Sequence, residues 1–265
     1  MIADAVTAIP PVAAEAIRYD AWLSAIFGHS VFRIDPGVAA TGSPTALSYL
    51  CQRIRQHART QAVAMYYTKI ATTQVDAVRC LSAVGLYVVE INITLSIDQP
   101  ARCYLPVPTP EQRLAIVDIR PEHYTDVLHI AASCFQYSRF HLDPAIPNPI
   151  AHRVKHDWVL NYIQGGRGER LLVALIDAQP VGFLAVMRSE CEGKCIRTID
   201  LIGVSRPFQG RGVGKQLVRY FVEQYAPHSD RLQVGTQVAN VSSLRLYQKL
   251  GFSTMKSAYV MHLHV

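Results

Sequence analysis

No apolar run in this 265-residue chain approaches the roughly 18 residues a membrane-crossing helix needs, so no membrane partner is expected. No run of five or more basic residues occurs either, and no nucleic-acid-reading motif, so nucleic acid is not an expected partner. The net charge of +6 is therefore diffuse, which suits plain solubility or a multiply phosphorylated small ligand. The six cysteines (Cys51, Cys80, Cys103, Cys134, Cys191 and Cys195) never form C-x-x-C. Without that spacing, or further suitably placed ligands, no metal is expected. His152 and His156 are four apart, but H-R-V-K-H lacks the glutamate of H-E-x-x-H and reads as surface histidines. The first residues carry Asp4 and no early Lys or Arg, so no secretory leader is expected and the expected location is the cytoplasm.

What the chain does have is a bare, basic stretch, RPFQGRGVGKQL, from Arg206 to Leu217. A nucleotide-triphosphate P-loop fails here, because Gln209 stands at its first glycine and Gln216 at its hydroxyl. A dinucleotide fingerprint fails at Lys215, where its third glycine belongs. The pattern [RQ]-x-x-G-x-[GA] fits fully, at Gln209, Gly212 and Gly214. An apolar segment, 199–204, precedes it. Apolar residues at 213, 217, 218, 221, 222 and 225 follow with the spacing of one helix face. The loop thus joins a strand to a helix N-terminus, where free N–H groups and the helix dipole favour an anion. Taken alone, a glycine-rich turn without a ligand reads equally well.

A proline-rich segment, 99–113, divides the chain near residue 108, giving 1–108 and 109–265 as two domains. The second reads as strand 114–119, helix 121–134, an irregular stretch, helix 151–163, strands 170–177, 180–189 and 195–204, helix 212–225, strand 231–238, helix 240–250 and strand 253–264. Such an order argues for an α/β (α+β) fold with a mixed central sheet flanked by helices. Both halves end in a helix, a glycine and a long strand. Arg79 matches Arg245, Val84 Leu250, Gly85 Gly251 and Leu86 Phe252, each 166 residues apart. Two unequal copies of one fold are expected. Gln74 stands where the second copy has Asn240, Leu81 where it has Tyr247, and no glycine-rich loop precedes the first copy. Any chemistry therefore belongs to the second.

Residues 114–265 resemble the GNAT superfamily of N-acetyltransferases. The resemblance rests on the strand TIDLIGVS, the loop QGRGVG with its helix, and NVSSLRLYQKLGF, which carries Asn240, Ser243, Tyr247, Gly251 and Phe252. Both halves together are similar to the dTDP-fucosamine acetyltransferase group, in which a degenerate N-terminal copy precedes an active one. The supporting stretches are AWLSAIFGHSVFRI, LSAVGLYVVEINITL, CFQYSRFHLDP, HDWVLNYIQ and VGTQVANVSSLRLYQKLG.

The resemblance implies acetyl-CoA as cosubstrate, with the diphosphate on backbone N–H groups from Gln209 through Gly210, Arg211, Gly212 and Val213 to Gly214, and Asn240 nearby. Arg211 and Lys215 add charge or simply face solvent. Ile202 and Val204 offer main-chain groups to the pantetheine arm, and one such N–H polarises the thioester carbonyl. Tyr247 matches the usual acid for the leaving thiolate. Asp200 alternates with Ile202 and Val204 and is expected to face the same way, as a base or as a structural hydrogen-bond acceptor. Arg139 and Phe140, in a proline-containing segment, suit a phosphate and a sugar or base face. The implied reaction is direct N-acetylation of a dTDP-linked 4-amino-dideoxy sugar for surface polysaccharide, by a homodimer. Acetylation of another amine (amino acid, antibiotic, protein N-terminus) and a non-catalytic acyl-CoA-binding module are the competing readings.

Overall fold

A computed structural model describes residues 16–35, 37, 43–102 and 114–265. Most of the proline-rich 99–113 segment lies outside the described residues. In chain order the elements are β1 (Ile17–Tyr19), α1 (Ala21–Phe27), β2 (Ser30–Ile34), α2 (Pro44–Arg59), β3 (Ala64–Ala71), α3 (Val75–Ser82), β4 (Tyr87–Asp98), β5 (Leu114–Asp118), α4 (Tyr124–Ser133), α5 (Arg139–Leu142), α6 (Asn148–Ile163), β6 (Arg170–Ile176), β7 (Gln179–Cys191), β8 (Lys194–Val204), α7 (Val213–Tyr225), β9 (Arg231–Gln237), α8 (Val241–Lys249) and β10 (Ser253–His264). Two compact units result. One runs to Ile91 and takes in Ala258–Val265; the other is Asn92–Ser257. These are not the contiguous stretches 1–108 and 109–265.

In the first unit, β1 pairs antiparallel with β2, β2 parallel with β3, and β3 antiparallel with the end of β10, from Ala71↔Ala258 to Met65↔His264. Helix α2 shows how sequence drives the packing. Ser43 caps it by accepting from Ala46 N–H, Pro44 occupies the first turn, and Leu47, Leu50, Cys51 and Ile54 fall on its buried face. That face meets Phe32, Ile34, Tyr66, Ile70, Leu81 and Met261.

In the second unit, β5, β6, β7 and β8 form an antiparallel meander, β8 runs parallel to β9, and β9 pairs antiparallel with the end of β4, from Gln237↔Asn92 to Arg231↔Asp98. With the 166-residue offset, Gln237↔Asn92 is the counterpart of Ala71↔Ala258. Each copy's last strand therefore completes the sheet begun by the other copy. Alternation along the strands supplies two apolar faces. Leu172, Leu184 and Val186 meet α7 through Leu217, Val218 and Phe221. Leu171, Val173, Phe183 and Ala185 meet α4 and α6 through Val127, Ile130 and Val159. The six apolar positions of α7 read from the sequence are the six that its packing buries. Burial of such side chains contributes about 1.5–3 kcal/mol each.

Candidate active site

The glycine-rich loop follows β8 through a short turn, Arg206–Phe208, and opens directly into α7. Gly210 (φ 75°) and Gly212 (φ 83°) both take left-handed backbone, a region that side-chain-bearing residues avoid. Around Gly210 nothing lies within 4 Å of where a Cβ would sit, so its main chain is open to a ligand. The N–H groups of Gly210, Arg211, Gly212, Val213, Gly214 and Lys215 donate to no described residue, whereas the next one, Gln216, reaches Gly212 O at 3.0 Å. Gln209 corrects the expectation. Its own N–H donates to Arg206 O (3.2 Å), and its side-chain amide donates to Val204 O (3.0 Å), so it braces the turn from within. Arg211 lies over the Phe208 ring at 5.6 Å; Arg211 and Lys215 are both exposed.

Immediately upstream, β8 loses one neighbour. Its ladder with β9 runs from Ile196↔Arg231 to Ile199↔Val234 and stops. Beyond it β8 continues on β7 alone, through Leu184↔Ile202 and Gly182↔Val204, while β9 continues on β4, through Gly235↔Thr94 and Gln237↔Asn92. The bond from Ser205 N–H to Val181 O sets the register phase. In that phase Ile202 and Val204 turn their own N–H and C=O away from β7, into the gap beside β9. Val204 O is taken by Gln209 and Val204 N–H lies against Cys134 Sγ, which leaves the Ile202 groups for an extended ligand.

Helix α8 supplies the third part. Asn240 caps it, its side-chain oxygen accepting from Ser243 N–H (3.2 Å) and from Ser242 Oγ (3.0 Å). Tyr247 is 2% exposed and packs edge-on against Phe252 at 5.9 Å, in the cluster that includes Val213 and Leu217 and adjoins Ile202 and Val204. Its hydroxyl bonds to no described residue. Burial pushes the phenol well above its ordinary pKa, so it stays protonated and able to donate.

Asp200 does not face the way strict alternation required. The β7–β8 register jumps from Ala185↔Leu201 to Val186↔Ile199, so Asp200 is the extra residue of a bulge. Ile199 and Ile202 pack toward α7, but Leu201 packs toward α4 and α6, and Asp200 reaches α6. Its carboxylate accepts from Trp158 Nε1 (2.9 Å), Tyr162 OH (2.8 Å), Arg167 Nε (2.7 Å) and Arg167 NH2 (3.0 Å). Burial works to raise its pKa, but the bonds from Arg167, Trp158 and Tyr162 outweigh it and hold it below the usual carboxylate range. A carboxylate so occupied is a poor proton acceptor, and of its two expected roles the geometry favours hydrogen-bond acceptor. Trp158, Tyr162 and Arg167 were not singled out as site residues. Their signal was the i, i+4 pair in HDWVLNYIQ and the arginine in the following GGRG turn.

The acceptor segment is also corrected. Phe140 is 1% exposed and Arg139 covers its ring at 4.4 Å, so it offers no face to a sugar. Tyr137, 40% exposed, is the outward ring there. Rather than only extending the loop, the prolines bound helices: α6 begins at Asn148, with Pro149 in its first turn. Lys155, buried, lies over both Phe135 (5.0 Å) and Trp158 (4.8 Å). Cys134 lines the inner side of β8, where a Cβ on Gly203 would come 2.7 Å from its Sγ. Burial pushes that thiol up to about 12, which makes it unreactive.

Known proteins share the fold. The chain is 29% identical over 138 residues to "Spore coat polysaccharide biosynthesis protein SpsD" of Bacillus subtilis, a match covering 52% of this chain and 46% of that protein. The chain thus spans under half the length of that relative. The GCN5-related N-acetyltransferase from Sphaerobacter thermophilus shares the fold with a TM-score of 0.53 and 15% identity, over 89% of this chain and 72% of that one. A tandem GNAT protein from the clavulanic acid biosynthesis pathway shares it at 0.53 and 15%, over 88% of this chain and 75% of that one. At such identities the likeness is one of fold. The family model for the acetyltransferase (GNAT) family matches residues 124–252, from the first residue of α4 to Phe252. The loop, the parted strand and Tyr247 all lie inside that match.

Proposed function

We propose that the protein is an acetyl-CoA-dependent N-acetyltransferase whose second copy, residues 109–265, acetylates the amino group of a dTDP-linked 4-amino-dideoxy sugar. The observation that carries the ligand is the run of unbonded amides from Gly210 to Lys215, lying beside the unpaired edge of β8. Six donors at a helix N-terminus fit a diphosphate, and the open gap fits a pantetheine arm that adds itself as a strand. Bound acetyl-CoA would supply the activated acyl group.

The chain's own residues then have separable tasks. Gly210 to Gly214 fix the diphosphate. The Ile202 main chain aligns the arm, and one N–H from this edge steadies the thioester carbonyl as charge builds on it. Tyr247, kept protonated by burial, donates to the departing thiolate. Asn240 is spent on the cap of α8 through its oxygen, and its amide N–H groups remain for the ligand. No dedicated base is assigned, since Asp200 is occupied; a sugar amine that is already partly neutral suffices. Arg139 contributes charge for a phosphate, and Tyr137 a ring face. The sugar assignment draws support from the relative named for spore coat polysaccharide biosynthesis. A homodimer in the cytoplasm completes the reading.

The test is acetyl-CoA turnover against a panel of amines, read by mass spectrometry of the product. Acetylation of a dTDP-4-amino sugar in clear preference to amino acids, aminoglycosides and peptide N-termini is expected. Turnover of one of those with none on the nucleotide sugar would overturn the acceptor. Absence of CoA binding in calorimetry would overturn the whole proposal.

A further inference from the structure

Asp200 is 9% exposed at its side chain and sits at the last point where β8 touches β9: Ile199 closes the ladder and the bulge begins with the next residue. A bulge leaves one residue unpaired and bends its strand. Nothing in the apolar packing requires a carboxylate there. What holds it is a clamp from outside the strand, made of Trp158 and Tyr162 one turn apart on α6 and Arg167 from the turn that follows.

That turn is built to reach. Gly168 has φ 75°, and a Cβ on it would fall 1.9 Å from Tyr162 Cε1, so the backbone passes directly against the tyrosine ring while Arg167 swings onto the carboxylate. Arg167 also lies over the Trp158 ring at 4.9 Å, which fixes both donors relative to each other. A buried carboxylate with this many donors has a single well-defined position, and removing a donor leaves an uncompensated charge.

We propose that Asp200 is a positioning residue, and that its clamp by Arg167, Trp158 and Tyr162 locks the bulge that parts β8 from β9 and so keeps the gap beside Ile202 and Val204 open. The link from clamp to ligand rests on reading that gap as the acyl-CoA site; the link from clamp to bulge does not.

Two measurements separate them. Hydrogen–deuterium exchange without ligand reads the bulge directly: Asp200→Asn, and independently Arg167→Lys, speed amide exchange across 199–204 while exchange in β6 and α7 stays as in the parent. Unchanged exchange across 199–204 in both folded variants overturns the proposal. In steady-state kinetics, KM for acetyl-CoA rises by about tenfold in Asp200→Asn, as loss of a partly buried ion pair would give, while kcat changes little. The acidic limb of the pH–rate profile stays where it was, because no catalytic proton is lost. A kcat collapse with KM unchanged and the acidic limb abolished makes Asp200 the base and overturns the proposal. Should Asp200→Asn fail to fold, Trp158→Phe, which removes one N–H and keeps the ring stacking, carries both readouts with smaller shifts in the same directions. If the parent protein binds no CoA, the functional reading falls and the exchange experiment still decides the clamp.

Discussion

Two stretches of this chain, 166 residues apart, share their hydrogen bonds almost one for one. Gln74 N–H reaches Ala71 O and Asn240 N–H reaches Gln237 O; Gly85 N–H reaches Ser82 O and Gly251 N–H reaches Gln248 O; Leu86 N–H reaches Leu81 O and Phe252 N–H reaches Tyr247 O. Gly85 (φ 99°) and Gly251 (φ 89°) end the two helices in the same left-handed turn. The strands that follow, Tyr87–Asp98 and Ser253–His264, have corresponding ends. Leu81 and Tyr247 are both buried. The side chains differ at most aligned positions, and three differences bear on the site: a side-chain cap at Asn240 and none at Gln74, a hydroxyl on Tyr247 and none on Leu81, and a glycine-rich loop before the second copy only. The shared backbone contacts persist through wide side-chain change, and the proposed chemistry rests on the three differences just named.

Exchanging those side chains tests the comparison. Tyr247→Leu gives the second copy the residue of the first. Loss of the acid should lower kcat by about 10²–10⁴-fold, while calorimetric CoA affinity stays within about twofold of the parent. A variant as active as the parent would remove Tyr247 from the reaction. Gly212→Ala forces a side chain into left-handed backbone, a strain of about 1–2 kcal/mol. It should weaken CoA binding by tenfold or more, with a smaller fall in melting temperature; unaltered affinity would uncouple the loop from the ligand. In the other direction, Leu81→Tyr should gain no activity and should destabilise its well-packed cluster by about 1–3 kcal/mol, read by chemical denaturation. Asn240→Gln replaces the cap with the first copy's uncapped residue and should cost about 0.5–2 kcal/mol.

The smallest effect concerns pH. Because the folded Asp200 pKa is depressed, its contribution to stability is present above the unfolded carboxylate value, about 3.9, and is lost as pH falls through the folded one. The stability gap between the parent and Asp200→Asn should therefore be full at neutral pH and close on acidification. A gap independent of pH would mean that the charge of Asp200 is not what the clamp recognises.

Local pattern carried much of this. The α7 face, the succession of strands and helices in the second copy and the helix–glycine–strand repeat were all legible, because each depends on residues within a turn or two of one another. The bulge at Asp200 was not, since it is a mismatch between β8 and β7, and its partners lie 33 to 42 positions back along the chain. Phe140 was misplaced for a related reason. An aromatic residue in a proline-containing segment looks exposed, and only tertiary packing decides that it is covered. Gln209 fitted its motif, but as a brace on Val204 O, a role that spacing does not distinguish from ligand binding.

The pairing of β4 with β9 and of β10 with β3 limits how far the first copy can decay. The first copy does without a glycine-rich loop, but not without its last strand, because Asn92–Asp98 covers the edge of β9 beside the gap where β8 leaves it. Severing the chain between the copies would take β10 from β3 and β4 from β9 and leave naked main-chain donors and acceptors, an invitation to aggregate. The first copy thus lends backbone to the second, and residues 109–265 produced alone should be insoluble unless Asn92–Asp98 is supplied with them.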